Sequence, residues 1–214
     1  MIRIIDGRLR HKYNKEIDAM HRIRKKTFYE RRGWEVPVIN AWEIDGYDAL
    51  CPLYLVCIDR NGLTIGGLRL LPTTGFTMIN DTFSFLLPDA ERIESPLIWE
   101  SSRFSVDHEA DVAIGKKGIS RATAELGLAM NEIGMQTGLT HIVTVYDAFM
   151  HRVLTRAGCA GKPISSPKKI GNVLAYAVFF DVNMETDTAL RAASEIEGSV
   201  LEQASGIPAL HRAA

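Results

Sequence analysis

No stretch of this 214-residue chain approaches the roughly 20 consecutive apolar residues that a membrane span needs. The N-terminal "MIRIIDGRLRHKY" carries a charge every few residues where a secretory leader would be apolar. Cysteine is scarce: Cys51, Cys57 and Cys159 form an odd set without a CxxC pair, which speaks against a disulfide framework or a zinc site and for a reducing compartment. A charge excess is missing too. With 25 Lys and Arg against 26 Asp and Glu the formal net charge is -1, so a nucleic-acid or anionic-membrane partner, which needs a strong basic surplus, is not expected. There is no internal repeat and no low-complexity tract. What remains, 46% apolar residues in a chain of this length, describes one globular domain over 1–214 with a sizeable core, expected in the cytoplasm.

Periodicity then divides the chain. "MIRIID" alternates as a strand, and residues 13–31 follow as a charged amphipathic helix stopped before Gly33. Residues 33–50, rich in Gly, Pro, Asp and Asn without steady period, read as a long ordered loop. "LYLVCID", a turn at Asn61-Gly62 and "LTIGGLRLLP" read as an antiparallel hairpin. A short helical or irregular stretch at "DTFSFLLPDA" leads into a strand over 97–106. Ile119, Ala122, Leu126, Met130 and Ile133 recur at three or four, the buried face of a helix reaching about Gln136. "HIVTVY" reads as a strand, "DAFMHRVLTRAG" as a helix capped by Asp147 and Gly158, and "NVLAYAVFFDV" as the last strand. A weaker amphipathic helix runs from 185 to about 203, before a polar tail. That order implies an α/β fold, a mixed sheet sandwiched between helices.

The chemistry gathers in the first half. Ile17, Met20, Arg24 and Phe28 share one helical stripe, so Arg24 falls on the apolar side, where its head either snorkels to solvent or finds an anion. Partners are at hand: Glu43, Asp45 and Asp48 in "WEIDGYD", Arg69 in "GGLRLLPT", and Glu100 and Arg103 in "WESSRF". In that last strand Glu100 and Arg103 stand three apart and should face opposite ways, unless a bulge between them shifts the register. Singly, each of these residues is as well explained by a solvated loop or an ordinary cross-strand ion pair.

In order, Arg24 with Phe28, then Trp34, Asp45 with Asp48, "GGLRLLPT" around Arg69, and "WESSRF" with Glu100 and Arg103 resemble the motifs of the acyl-homoserine lactone synthases, the LuxI-type autoinducer synthases. The resemblance covers about 1–182 and leaves the segment after Val182, including the helix and tail of 185–214, outside the pattern. It implies the architecture of the GNAT N-acetyltransferases, with a bulged central strand whose free backbone N–H meets a thioester carbonyl. It also implies the reaction: an acyl group passes from acyl carrier protein or coenzyme A to the amine of S-adenosylmethionine, the carboxylate then closes a lactone, and methylthioadenosine leaves. Both reactants are substrates, so no cofactor and no metal is implied. Glu100 would take the proton from the attacking ammonium, with Arg103, Asp45 and Asp48 beside it in catalysis. Arg24, Phe28, Trp34 and Arg69 would hold S-adenosylmethionine, whose adenine wants an aromatic face and whose carboxylate wants a guanidinium. Three arginines against Asp45, Asp48 and Glu100 make a formally neutral cluster, fit for burial only if its members satisfy one another.

For the donor, Lys116 and Lys117 between two glycines and a helix start suit the phosphate of phosphopantetheine, or are simply a solvated turn. Arg152, Arg156, Lys162, Lys168 and Lys169 are candidates for a face that docks an acidic carrier protein. Family frequency favours carrier protein over coenzyme A. The acyl chain is expected in an apolar space walled by Phe104, Val143, Met150 and Leu154, though core packing explains these four equally well. Thr144 is placed as a family hydroxyl beside the third acyl carbon, favouring a 3-oxo group. The alternative function is a GNAT-like acyl-CoA N-acyltransferase acting on another amine, against which Trp34 and the Asp45–Asp48 pair speak; a non-catalytic binding protein on the same fold would not need Glu100.

Overall fold

A computed structural model describes residues 1–110 and 117–202. Its centre is one mixed sheet in the order β1 (Ile2–Asp6), β4 (Leu53–Ile58), β5 (Thr64–Pro72), β6 (Ile98–Val106), β7 (His141–Asp147), β10 (Val173–Asp181) and β8 (Lys162–Pro163), with β9 (Lys168–Ile170) also on β10. Among these described strands only β6 and β7 pair in parallel. Their pairing ends at Ser101 opposite Thr144 while both strands continue, β6 to Val106 and β7 to Asp147, so the sheet opens into a wedge between them.

Alternation sorts each strand. Leu53, Leu55, Cys57, Leu68, Leu70, Trp99 and Ile142 point to the main core beneath α3 (Arg121–Thr137) and α5 (Met184–Ser194). On that side Ala122, Leu126 and Ile133 are buried as the helical period requires, and Val153 and Leu154 of α4 (Ala148–Ala157) pack in from the end. The opposite face receives α1 (Asn14–Arg24) through Met20 on Ile5, Tyr54 and Val56. Farther along it, α2 (Met78–Asp81) and the turns after it bring Ile79, Leu86 and Leu87 onto Val143, Ala175 and Ala177. Gly67 permits the close approach of α1: a Cβ there would lie 3.0 Å from the Leu55 carbonyl oxygen and 3.2 Å from Met20.

Three expectations change in detail. The first helix is regular only to Arg24, after which residues 25–31 widen into π-helical turns that carry Phe28. The long loop contains a two-stranded ribbon, β2 (Val38–Ile39) and β3 (Trp42–Glu43), and a 3₁₀ turn over Gly46–Leu50. The last helix stops at Ser194, where Glu195 turns left-handed, and the chain then returns to β1. There Ile2 donates to the Val200 carbonyl (2.7 Å) and Glu202 donates to the Ile2 carbonyl (2.8 Å), so this segment is part of the folded unit. No described helix is long and apolar enough to cross a membrane.

Candidate active site

The face of the sheet under α1 carries the charged residues, and there the structure closes them into a network. Arg24 donates through Nε to Glu43 (2.6 Å) and through both Nη atoms to Asp48 (2.9 Å each). Arg69 takes Asp45 (2.5 and 3.1 Å) and lies 3.1 Å from Asp48. Arg103 binds Glu43 (3.0 Å) and Asp45 (2.9 Å). The loop is shaped to present these acids, since Asp45 caps the 3₁₀ turn by accepting from the Tyr47 N–H while Asp48 accepts from the Asp45 N–H. Arg24, Glu43 and Arg69 are at most 1% exposed, which only a fully paired set tolerates. Burial by itself would raise the Asp48 carboxyl, but the hydrogen bonds and charge of Arg24, with the charge of Arg69, hold it well below the usual carboxylate range. Burial opposes charge on Arg24 as well, and there Asp48 and Glu43 win.

The acids of this network are Glu43, Asp45 and Asp48, which corrects the trio read from sequence: Glu43 occupies the place given to Glu100. Sequence reasoning offered Glu43 as an available partner but did not select it. Its signal is the spacing of two along β3 and the chain beyond it that aims Glu43 and Asp45 at one guanidinium. Arg24, expected as a direct substrate ligand, lies one layer deeper with Nε and both Nη atoms spent on protein carboxylates, so it positions Glu43 and Asp48.

Glu100 stands apart. Its two oxygens accept from the backbone N–H groups of Met78 (2.9 Å) and Ile79 (2.5 Å) at the start of α2. The side chain is 2% exposed. Burial pushes its carboxyl up, and the two N–H groups and the charges of Arg69 and Arg103 pull back only in part, leaving it at about 7.

The expected bulge exists, one step farther along than read. Arg69 pairs with Ser102 and Gly67 with Ser105, so Arg103 and Phe104 together oppose Leu68. Arg103 has φ 56°, a left-handed backbone that costs a non-glycine residue roughly 1–2 kcal/mol. Ser102 shares the face of Glu100 by alternation and accepts from Arg69 Nε (3.1 Å), and the extra residue brings Arg103 to that face as well and turns Phe104 toward the main core.

Aromatic rings border the network. Phe28 and Trp34 stack at 5.4 Å, with the Arg103 guanidinium over Phe28 and that of Arg32 over Trp34. The Trp34 Nε1–H is buried without an acceptor among the described residues. Tyr47 lies against Arg69, and an open groove of about 360 Å³ lined by Gly46, Tyr47, Leu50, Phe76 and Asp81 runs beside it.

The residues assigned to the donor are less unified. Thr144 sits at the apex of the wedge, its hydroxyl donating to the Ser101 carbonyl (2.7 Å). Phe104 and Leu154 pack on the main core, and Met150 shares a small cavity with Phe104 and Arg31. Val143 is fully buried in the cluster on the other face with Ile79 and Ala175, so it cannot wall the same space: adjacent strand residues point to opposite faces. Lys116 lies outside the described residues. Lys117 is exposed and reaches the Ala157 carbonyl (3.4 Å). Arg152 and Arg156 are exposed on α4, whereas Lys168 and Lys169 belong to β9, and the Lys168 ammonium is held by the Phe85 carbonyl. Lys162 pairs with Asp181.

Comparison with known proteins follows the same lines. A family model described as autoinducer synthase matches residues 8–190. An acyl-homoserine-lactone synthase of Rhizobium etli is 37% identical over 212 residues, 98% of this chain and 96% of that protein. Among solved structures, a CoA-dependent acyl-homoserine lactone synthase, BjaI, determined with SAM and isopentyl-CoA, superposes with a TM-score of 0.82 at 25% identity, covering 96% of this chain and 94% of that one. A putative N-acetyltransferase from Lactobacillus plantarum shares the fold with a TM-score of 0.57 at 18% identity, over 85% of this chain and 99% of its own.

Proposed function

The chain belongs to the autoinducer synthase family and is an acyl-homoserine-lactone synthase, and from that premise we propose how its residues divide the work. The observation that carries the assignment is the separation of Glu100 from the ion-pair network. Glu43, Asp45 and Asp48 are committed to three guanidiniums, while Glu100 is held by backbone N–H groups alone and keeps its proton affinity near neutrality.

Glu100 accepts a proton from the ammonium of S-adenosylmethionine. The freed amine forms the N–C bond to the thioester carbonyl and the thiol departs. The thioester enters through the wedge between β6 and β7, beside a bulge whose extra residue leaves the ladder with β5 and turns a backbone N–H to the developing oxyanion. In the second step a carboxylate oxygen of the acylated substrate attacks the carbon bonded to the sulfonium, the C–S bond breaks, and methylthioadenosine leaves as a neutral thioether. Phe28 and Trp34 supply the flat face for adenine, and the unpartnered Trp34 N–H supplies a donor for the nucleoside. The neutral network keeps the pocket shaped without drawing the base into a salt bridge.

For the donor, exposed Arg152 and Arg156 on α4 support an acyl carrier protein, whose acidic surface they would meet; Lys168, tied to the Phe85 carbonyl, is removed from that face. Incubation with S-adenosylmethionine and mixed acyl thioesters, read by mass spectrometry, is expected to yield an N-acylated homoserine lactone and methylthioadenosine in equal amounts. An acylated amine of another kind, with no methylthioadenosine, would favour the general N-acyltransferase instead.

A further inference from the structure

Between Glu100 and the guanidiniums stands one residue used from both ends. The Met78 N–H donates to a Glu100 oxygen at 2.9 Å. Its sulfur receives Nη2 of Arg69 and Nη1 of Arg103, each at 3.3 Å. Met78 is 5% exposed, Arg69 and Glu100 are buried with it and the Arg103 side chain is 7% exposed, so these N–H groups have little solvent to turn to.

The rest of each guanidinium is already engaged. Arg103 spends Nε on Glu43 and Nη2 on Asp45, and Arg69 spends Nε on Ser102, Nη1 on Asp45 and Asp48, and one N–H of Nη2 on Asp45 (3.1 Å). The Nη1 group of Arg103 and the second N–H of Arg69 Nη2, both now on the Met78 sulfur, are what could turn toward another anion. The charged and titratable groups that reach Glu100 are these two arginines, one from β5 and one from its own strand, and Tyr47 of the 3₁₀ turn. β7 presents Val143 opposite it and α2 presents backbone. Were either guanidinium to bind Glu100 directly, the carboxylate would become one more member of a salt bridge and cease to compete for a proton.

We propose that Met78 is a positioning residue that keeps Arg69 and Arg103 off Glu100, its thioether occupying their remaining N–H groups while its backbone holds the carboxylate. A thioether suits the place because it is a weak acceptor without charge: it satisfies the donors while leaving the balance of three cations and three anions intact. Leucine would fill the volume and offer nothing to the guanidiniums. The inference rests on Glu100 as the base, and its test is chosen to be independent of turnover.

In protein labelled with ¹³Cδ-glutamate, the Glu100 resonance is identified by its loss in Glu100→Gln, and its titration is followed by NMR in wild type, Met78→Leu and Met78→Gln. Met–Leu exchange in a core is well tolerated, and Met78→Ile, equally without an acceptor, serves should the leucine variant not fold. The expected result is a midpoint lowered by roughly one pH unit or more in Met78→Leu, as an arginine closes on the carboxylate, and a midpoint near wild type in Met78→Gln, whose amide oxygen restores an acceptor. An unchanged midpoint in the leucine variant, or equal shifts in the leucine and glutamine variants, overturns the role of Met78. Full turnover by Glu100→Gln would instead overturn the base, leaving the titration result to decide on Met78.

Discussion

Replacing Glu100 by Gln tests the base by two routes that share one cause. The ordinary glutamate value of 4.5 rises to about 7 because the side chain is buried, which makes the ionised form cost roughly 3 kcal/mol at pH values above both. Between pH 4.5 and 7 the folded protein keeps the Glu100 proton that the unfolded chain has released, so this group's contribution falls as pH rises through that window and is lost above it. Gln does not titrate. Whatever fixed cost its amide incurs beside the Ile79 N–H cancels when one variant is compared with itself at two pH values. Urea unfolding at pH 4 and pH 8 should therefore show Glu100→Gln gaining on wild type by roughly 3 kcal/mol at the higher pH. The acylation rate of wild type should climb with pH and level off above about 7, as Glu100 ionises, and the Gln variant should be slower by about 10²-fold or more with substrate binding retained. A pH-independent stability difference would refute the raised proton affinity, and full turnover by Glu100→Gln from pH 6 to 9 would refute the proton-transfer role.

Glu43→Ala strips one partner from Arg24 and one from Arg103, so chemical denaturation should show a loss of about 3–5 kcal/mol; a loss under about 1 would mean the network relaxes around the gap. Trp34→Ala removes one face of the Phe28 stack and the free indole donor, and calorimetry should find S-adenosylmethionine bound several-fold to tenfold more weakly, while unchanged affinity in a folded variant removes Trp34 from the pocket. Arg152→Glu with Arg156→Glu reverses two exposed charges on α4 and should raise the Michaelis constant for acyl carrier protein donors, increasingly at low salt, with little change for the same acyl group on coenzyme A. Equal effects on both donors would dispose of the docking face.

Much of this site was legible because helical and strand periods are strong constraints. Arg24 on an apolar stripe had to reach either solvent or anions, and Glu100 and Arg103 three apart on a strand had to face opposite ways or flank a bulge; the structure supplies the anions and the bulge. The place of the bulge was not legible, since "SSRF" offers no glycine to mark a left-handed residue and the register is fixed across β5 by Gly67, Arg69 and their partners. The choice among Glu43, Asp45, Asp48 and Glu100 was hidden for a related reason. Residue type says that four carboxylates and three guanidiniums are available, but which carboxylate goes unpaired depends on α2, a four-residue helix with no periodicity to read, arriving over β6 to offer two N–H groups. The acyl pocket shows the converse: alternation alone already parts Val143 from Thr144, and the strand pattern contained that information.

The same reasoning explains why three acids and not four complete the ion-pair set. Arg24, Arg69 and Arg103 with Glu43, Asp45 and Asp48 are neutral, and a neutral buried set is stable only while its geometry is closed. A fourth carboxylate drawn into it would leave an uncompensated negative charge in a low-dielectric space, and a base so stabilised would have no use for a proton. Holding Glu100 on two neutral N–H dipoles avoids both outcomes. It stays ionisable near pH 7, close to the cations yet not bound by them. The left-handed backbone at Arg103 follows from this division, because only a bulge lets one strand deliver a base to α2 and, three residues on, a guanidinium to Glu43 and Asp45.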